Sequence, residues 1–283
     1  MPKVLTEEAI AQYRREGFHA PLSAFPASTA AALRARLEAH EARSGGPLAG
    51  KWRFKTHLLF TWADEMVHHP AVLDAVEDIL GPDILCWNTS FFIKEPASAG
   101  FVSWHQDATY WGLEPDDVVT AWVALSASNE ESGCMKVIPG THHESHMPHV
   151  DTFHKDNLLT RGQEIAVEVD EARAVGIHLQ PGQFSLHHIG LVHGSAPNRA
   201  QDRRIGFAMR YIAPYVRQTK QRDSALLVRG TDSHGNFDHE PRPRADLDAA
   251  ALAAHADATE RKLSVFYEGT PPASRPAPLR TGS

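Results

Sequence analysis

His105 and Asp107, in Trp104-His105-Gln106-Asp107, set an imidazole and a carboxylate two residues apart. In an extended strand residues i and i+2 share a face, so both side chains present to the same side. A third ligand must come from elsewhere, and His193, in Leu191-Val192-His193-Gly194-Ser195, stands just after a strand-like run and a turn. Two imidazoles and one carboxylate on one face of a metal form the facial triad of iron(II) oxygenases. Three protein bonds leave three octahedral positions, two for a chelating oxoacid and one for O2, whereas a fourth protein ligand would block turnover. The His-x-Asp pair alone decides little. With 18 histidines among 283 residues such pairs arise by chance, and a lone one also describes a hydrogen-bonded surface or core pair.

Arg204 opens the run Arg204-Ile205-Gly206-Phe207-Ala208-Met209-Arg210-Tyr211, in which two faces alternate. Ile205, Phe207, Met209 and Tyr211 form a bulky face suited to a core. Arg204, Gly206, Ala208 and Arg210 form a face of small residues flanked by cations, suited to a cavity wall with an anion site. A guanidinium binds a carboxylate through two parallel hydrogen bonds and keeps its charge at all relevant pH values. Taken alone, Arg204 equally describes a structural salt bridge; together with the triad it reads as the grip on an oxoacid.

The elements that must position these groups follow from periodicity and punctuation. Residues 1–82 read as helical. Thr6 caps a helix ending near Gly17, Ser28 opens another that runs to about Arg43, and Pro70 starts a third closed at Gly81. Short apolar or alternating runs follow at 84–94, 118–126, 134–138, 165–169, 175–179, 184–188 and 204–213, separated by turn dipeptides such as Pro139-Gly140 and Pro181-Gly182. That texture predicts an all-β sandwich or barrel over about 83–215. A last helix is expected over about 246–267, followed by a flexible tail, the whole forming one catalytic domain. Hydrophobic residues make up 42% of the chain, enough for a core that encloses a pocket. Net charge is −7 and the cations are scattered, which argues against nucleic acid. No apolar window reaches membrane-spanning length. Two cysteines outside any paired motif, Cys86 and Cys134, fit a reduced, cytoplasmic protein.

The segments Trp104-His105-Gln106-Asp107, Ala121-Trp122-Val123-Ala124-Leu125, Val137-Ile138-Pro139-Gly140-Thr141-His142 and His193-Gly194-Ser195, with Asn198 and Arg204 after them, resemble the phytanoyl-CoA dioxygenase family over about residues 50–215. The resemblance implies a mainly β fold, a cupin-like double-stranded β-helix or jelly roll with N- and C-terminal helices packed outside. It implies Fe(II) held by His105, Asp107 and His193, with 2-oxoglutarate and O2 as cosubstrates. Arg204 and Ser195 would hold the distal carboxylate of 2-oxoglutarate, with Asn88, Trp122 and Lys55 as further cosubstrate contacts. Halogenating relatives have a small residue where Asp107 stands, so hydroxylation of a small, charged metabolite, or a related hydrogen abstraction, is implied, with release of succinate and CO2. A catalytically silent metabolite-binding jelly roll and an oxoacid-independent cupin-type metalloenzyme are the alternatives.

Tyr110, Trp111, Phe91, His187 and Arg210 are the candidates for contact with substrate. Tyr110 and Trp111 follow the metal motif, Phe91 shares a strand with Asn88 and Lys94, and His187 precedes His193. Arg210 shares the face of Arg204 and would meet an anionic group. The plainer alternative is equally direct, since aromatics in a barrel usually belong to the core. The run Thr141–His149 is rich in histidine but matches no closed zinc pattern and reads as a loop at the cavity mouth. Val102, His187 and Ala208 stand where ectoine hydroxylases would place aromatics, which argues against ectoine.

Overall fold

The computed structural model describes residues 2–267. Thr6 accepts a hydrogen bond from the Ala9 amide and so caps the Glu7–Glu16 helix, which Gly17 ends at φ 82. The Ala27–Ser44 and Pro70–Leu80 helices also fall where the sequence predicts them. Pro70 suits the first turn because no intrahelical partner exists there for an N–H. The first 82 residues are not purely helical, however. They also supply the strand Phe18–Ser23, which lies at the outer edge of a sheet, where Pro21 removes no ladder bond from the interior. A bulge between His19 and Leu22 breaks its alternation, so it leaves no period-2 pattern to read.

Seven strands form the main sheet, in the order Phe18–Ser23, Gln183–His188, Val118–Ala124, Arg204–Ile212, Ile84–Lys94, Ser224–Arg229 and Asp238–His239. Arg204–Ile212 lies fourth and is buried throughout. Its two faces divide as the alternation predicts. Ile205, Phe207, Met209 and Tyr211 pack with Trp62, Leu73 and Val76 beneath the N-terminal helices, each burial contributing about 2 kcal/mol. Arg204, Ala208 and Arg210 face a cavity on the other side.

A smaller sheet, in the order Val102–His105, His193–Ser195, Lys136–Val137 and Val175–Gly176, forms the opposite wall. The two sheets with the helices outside them make the double-stranded β-helix. The smaller sheet is less regular than its apolar runs suggest, with only two residues each of 134–138 and 175–179 in its ladders. Of the run 165–169 only Ile165 lies in a strand, Gln163–Ile165, which pairs with His149–Asp151 in a separate two-stranded sheet. The last helix, Ala249–Phe266, starts at Asp248, whose carboxylate accepts from the Ala251 amide at 2.8 Å. The predicted tail lies outside the described residues. Among those described, no helix is long and apolar enough to cross a membrane.

Candidate metal centre and its two chambers

His105 is the last residue of its strand and pairs directly with His193 across the antiparallel ladder. Asp107 does not continue that strand, as the i, i+2 argument supposes; it opens the short helix Ala108–Trp111. The turn still brings the carboxylate beside its neighbour, with Asp107 Oδ1 3.3 Å from His105 Nε2. The His105 and His193 ring centroids lie 4.1 Å apart, and the three residues offer ligand atoms all within 4.8 Å of one another. Each imidazole is fixed by a carbonyl two residues back. His105 Nδ1 donates to Ser103 O and His193 Nδ1 to Leu191 O, both at 2.9 Å. A carbonyl only accepts, so Nδ1 carries the proton and Nε2 keeps its lone pair for a metal. Burial raises the Asp107 carboxyl, but hydrogen bonding from His105 and the charges of His193 and His105 whenever those rings are protonated, together with the Arg210 charge, outweigh it and hold it well below the usual carboxylate range. Burial, then His105, pushes His193 down to about 4. A divalent metal would take the Asp107 carboxylate and the two Nε2 lone pairs as its donor set.

These groups line a cavity, part open to solvent, whose other end is cationic. The Arg204 guanidinium lies over the Trp122 ring at 5.2 Å and donates to Gly133 O at 3.0 Å, while its Nε has no partner. Gly206 makes the stacking possible, because a Cβ there would lie inside the Trp122 ring. Lys94 shares the site: its ammonium donates to Ser195 Oγ at 2.7 Å, to Gly133 O at 3.2 Å and to Ala196 O. Burial, then the Arg204 charge, pushes Lys94 down to about 6. Among the described residues no carboxylate pairs with Arg204 or Lys94. The buried Arg204 cation, with Lys94 beside it able to take up a proton when an anion arrives, and a donor set for a metal fit a dianionic oxoacid that chelates through one end.

The sequence profile of phytanoyl-CoA dioxygenase (PhyH) matches residues 4–206. The chain belongs to the phytanoyl-CoA dioxygenase family. It is 39% identical to the apo form of the non-heme monooxygenase ThoJ, with a TM-score of 0.83 over 92% of this chain and 98% of that one. A probable alpha-ketoglutarate-dependent hypophosphite dioxygenase of Stutzerimonas stutzeri is 30% identical over 159 residues, 54% of each chain. Human peroxisomal phytanoyl-CoA dioxygenase is 31% identical over 47% of this chain and 40% of its own. The chain thus spans about half the length, or less, of these curated relatives. CytC3 with Fe(II) and alpha-ketoglutarate, 22% identical with a TM-score of 0.66 over 86% of this chain and 96% of that one, shares the fold.

The residues expected at the cosubstrate and substrate divide between this cavity and a second chamber beside it, with Asn88, expected at the cosubstrate, in the second. Trp122 and Ser195 line the cavity with Arg204, and His187 lines it with its ring centroid 5.1 Å from that of His193. Arg210 donates to Ser90 Oγ at 2.7 Å and lines both this cavity and a second chamber, which Asn88 and Trp111 also line. Three expectations need correction. Lys55 is not at the cosubstrate end; its ammonium is buried against Glu240 and donates to Ser224 O at 2.9 Å. Phe91 packs against Phe207 at 4.6 Å in the helix-side core, because it has the opposite strand parity to Asn88. Tyr110 faces Arg161 and His149, at 5.3 and 5.5 Å, and lines neither chamber.

Sequence reasoning passes over Phe92 and marks Lys94 only as a strand neighbour of Asn88. Both follow from parity, since positions 88, 90, 92 and 94 share the cavity face. It also leaves the histidine-rich run without a role. There His149 donates from Nδ1 to Met147 O at 2.7 Å and accepts the Gln106 amide on Nε2 at 3.0 Å. The Gln106 side chain in turn bonds Gly190 O and the Met147 amide, each at 2.8 Å. The loop therefore clamps the residue between His105 and Asp107.

Proposed function

We propose that this chain is an Fe(II)- and 2-oxoglutarate-dependent dioxygenase that hydroxylates a small, charged metabolite. The observation that carries the reading is one cavity with His105, Asp107 and His193 in one part and, in another, Arg204 and Ser195, the latter held by Lys94, with no acid paired to either cation among the described residues. The description of the Stutzerimonas relative as alpha-ketoglutarate-dependent supports it. The metal, when bound, supplies oxygen activation and a template for its partners. The chain's own residues supply the rest. His105, Asp107 and His193 hold the ion through three donors and leave the remaining positions open. Arg204 and the Lys94–Ser195 pair hold the distal carboxylate, Trp122 supports the guanidinium from beneath, and the aromatic and aliphatic walls exclude water. A carboxylate at position 107 occupies the place that a halide would need, which favours hydroxylation over halogenation. For each C–H converted to C–OH, one O2 and one 2-oxoglutarate would be consumed, and one succinate and one CO2 released. The two cysteines, both free and buried, support a reducing, cytoplasmic setting.

Anaerobic titration of the purified protein with Fe(II), then 2-oxoglutarate, tests this directly. A weak visible charge-transfer band, lost in Arg204→Met at the same oxoacid concentration, is the expected result. Metal binding without any band, and with no effect of Arg204→Met, would favour an oxoacid-independent metalloenzyme.

A further inference from the structure

Past Arg210, Phe92 and Asp107 the cavity adjoins a second chamber, part open to solvent, which shares those three residues with it. Its walls carry three cations. Arg53 comes from the turn before Phe54 and donates to Leu158 O; Arg210 comes from the central strand; Lys262 comes from the last helix. The Lys262 ammonium lies between the rings of Phe54 and Phe266, 3.8 and 3.9 Å from their centroids, and the Arg210 guanidinium lies over Trp111 at 5.2 Å. Among the described residues none of the three forms an ion pair. Among the described residues Asp107 is the one carboxylate on the chamber wall, and the metal group claims it. Asp223, the acid that acts on Lys262, is committed to Trp87 Nε1 at 2.7 Å and to the Ser224 amide at 2.8 Å.

Arg210 and Lys262 are buried and Arg53 is partly exposed beside them. Burying a charge without a partner costs several kcal/mol, so a fold retains two such cations together only where something offsets them. Burial pushes all three cations down, Arg53 to about 10, and repulsion from Arg210 adds to it at Arg53 and Lys262. Two polar atoms in the same group of residues also lack partners, Arg210 Nε and Asn88 Oδ1. Aromatic stacking supports the cations but brings no negative charge.

We propose that this second chamber is the substrate site, and that the substrate carries a terminal oxyanion, a carboxylate or a phosphate, received by Arg53, Arg210 and Lys262. Trp111, Phe92 and Phe266 then cover the adjoining carbon skeleton. Because Arg210 and Asp107 border both chambers, the anion anchors the substrate with its next few carbons beside the metal group. The assignment rests on the oxygenase reading of the first chamber and names the substrate class that reading lacks.

Calorimetric titration at low ionic strength tests it on protein loaded with Ni(II), as an inert stand-in for iron, and 2-oxoglutarate. The probes are hexanoate, hexyl phosphate, hexylamine and hexan-1-ol. At least one of the two anions should bind once per chain, at least about tenfold more tightly than the amine or the alcohol. Which anion binds decides between carboxylate and phosphate. Lys262→Met and Arg53→Gln should each weaken the anion by about tenfold or more, while Arg53→Lys, which keeps the charge, restores most of it. Circular dichroism of each variant separates lost binding from lost fold. Binding of neither anion, equal binding of the amine, or unaltered anion binding in both folded variants would overturn the assignment. A missing charge-transfer band with Fe(II) and 2-oxoglutarate would sink the oxygenase reading instead, and the two failures are read from different signals.

Discussion

Buried cations occur on both faces of the Ile84–Lys94 strand, and the two faces treat them differently. On the helix side, Lys55 and His57 close on Glu240, and every polar atom of that cluster is engaged. His57 Nε2 meets Glu240 at 2.8 Å and Nδ1 meets Thr89 Oγ1 at 3.0 Å; Ser224 Oγ bonds the same carboxylate at 2.7 Å. On the cavity side Arg204, Lys94, Arg53, Arg210 and Lys262 have carbonyls, hydroxyls and aromatic rings for neighbours and, among the described residues, no ion pair with a carboxylate. The same chemistry is structural where the fold supplies the counter-charge and functional where it does not. A resemblance that names Lys55 as a cosubstrate contact runs into this distinction, because that ammonium already has its acid.

The most drastic way to probe the cavity side is to remove a donor of the metal group. His105→Ala should bring succinate formation down to the uncatalysed level, while urea unfolding of the metal-free protein stays within about 1 kcal/mol of wild type. Activity retained in that variant would break the comparison at once. The matching change on the other face is Glu240→Ala. It leaves Lys55 buried with no acid and should cost about 3–5 kcal/mol of stability in the same urea experiment. Arg204→Met sharpens the contrast. It removes a cation that has no acid, so stability should move by no more than about 1 kcal/mol, whereas affinity for 2-oxoglutarate should fall roughly a hundredfold, the worth of two charge-assisted hydrogen bonds. If Arg204→Met melts the protein as Glu240→Ala does, the two faces do not differ in kind.

A subtler probe is Gly206→Ala. The added methyl collides with the Trp122 ring. Overpacking of this kind costs about 1–3 kcal/mol. It should also weaken 2-oxoglutarate by about tenfold, because the displaced indole no longer supports Arg204.

What can be read from the sequence, and what cannot, divides along similar lines. The Arg204–Tyr211 alternation separates core from cavity correctly because a central strand has one residue per face and no freedom to slip. Residue type and spacing single out His105, Asp107 and His193, and they do meet, although Asp107 arrives by a helical turn rather than along the strand. Phe91 is off by one position in the same period-2 pattern that would select Phe92. Lys262 lies out of reach altogether. Its helix, Ala249–Phe266, carries no motif and falls beyond the matched segment, and only tertiary packing brings the ammonium over Phe54. Lys55 fails for a related reason, since its partner Glu240 lies 185 residues away and outside the matched segment.

The smallest expected effect is on acid stability, and it separates the helix-side cluster from its surroundings. His255 is buried, stacks on Trp52 with centroids 5.5 Å apart and donates from Nε2 to Phe54 O at 2.9 Å. Burial pushes it from 6.5 down to about 4. The unfolded chain therefore takes up this proton first, and stability falls as pH drops from 6.5 towards 4, by at most about 1.4 kcal/mol per pH unit for one group. Glu240 acts lower. Burial opposes its ionisation, but the Lys55 charge and the His57 hydrogen bond prevail and bring it from 4.5 to about 2. Its contribution is complete above 4.5 and is lost as pH falls towards 2. Urea midpoints between pH 7 and 3 should thus decline in two stages. His255→Gln, whose amide can still donate to Phe54 O, should flatten the upper stage. Glu240→Gln should flatten the lower one while lowering stability at pH 7. If His255→Gln leaves the upper stage as steep as in wild type, the other buried histidines carry it, among them His188 and His193, each pushed down to about 4 by burial first. In that case the acid response lies with buried histidines away from the paired cluster, His193 in the cavity and His188 beside His142.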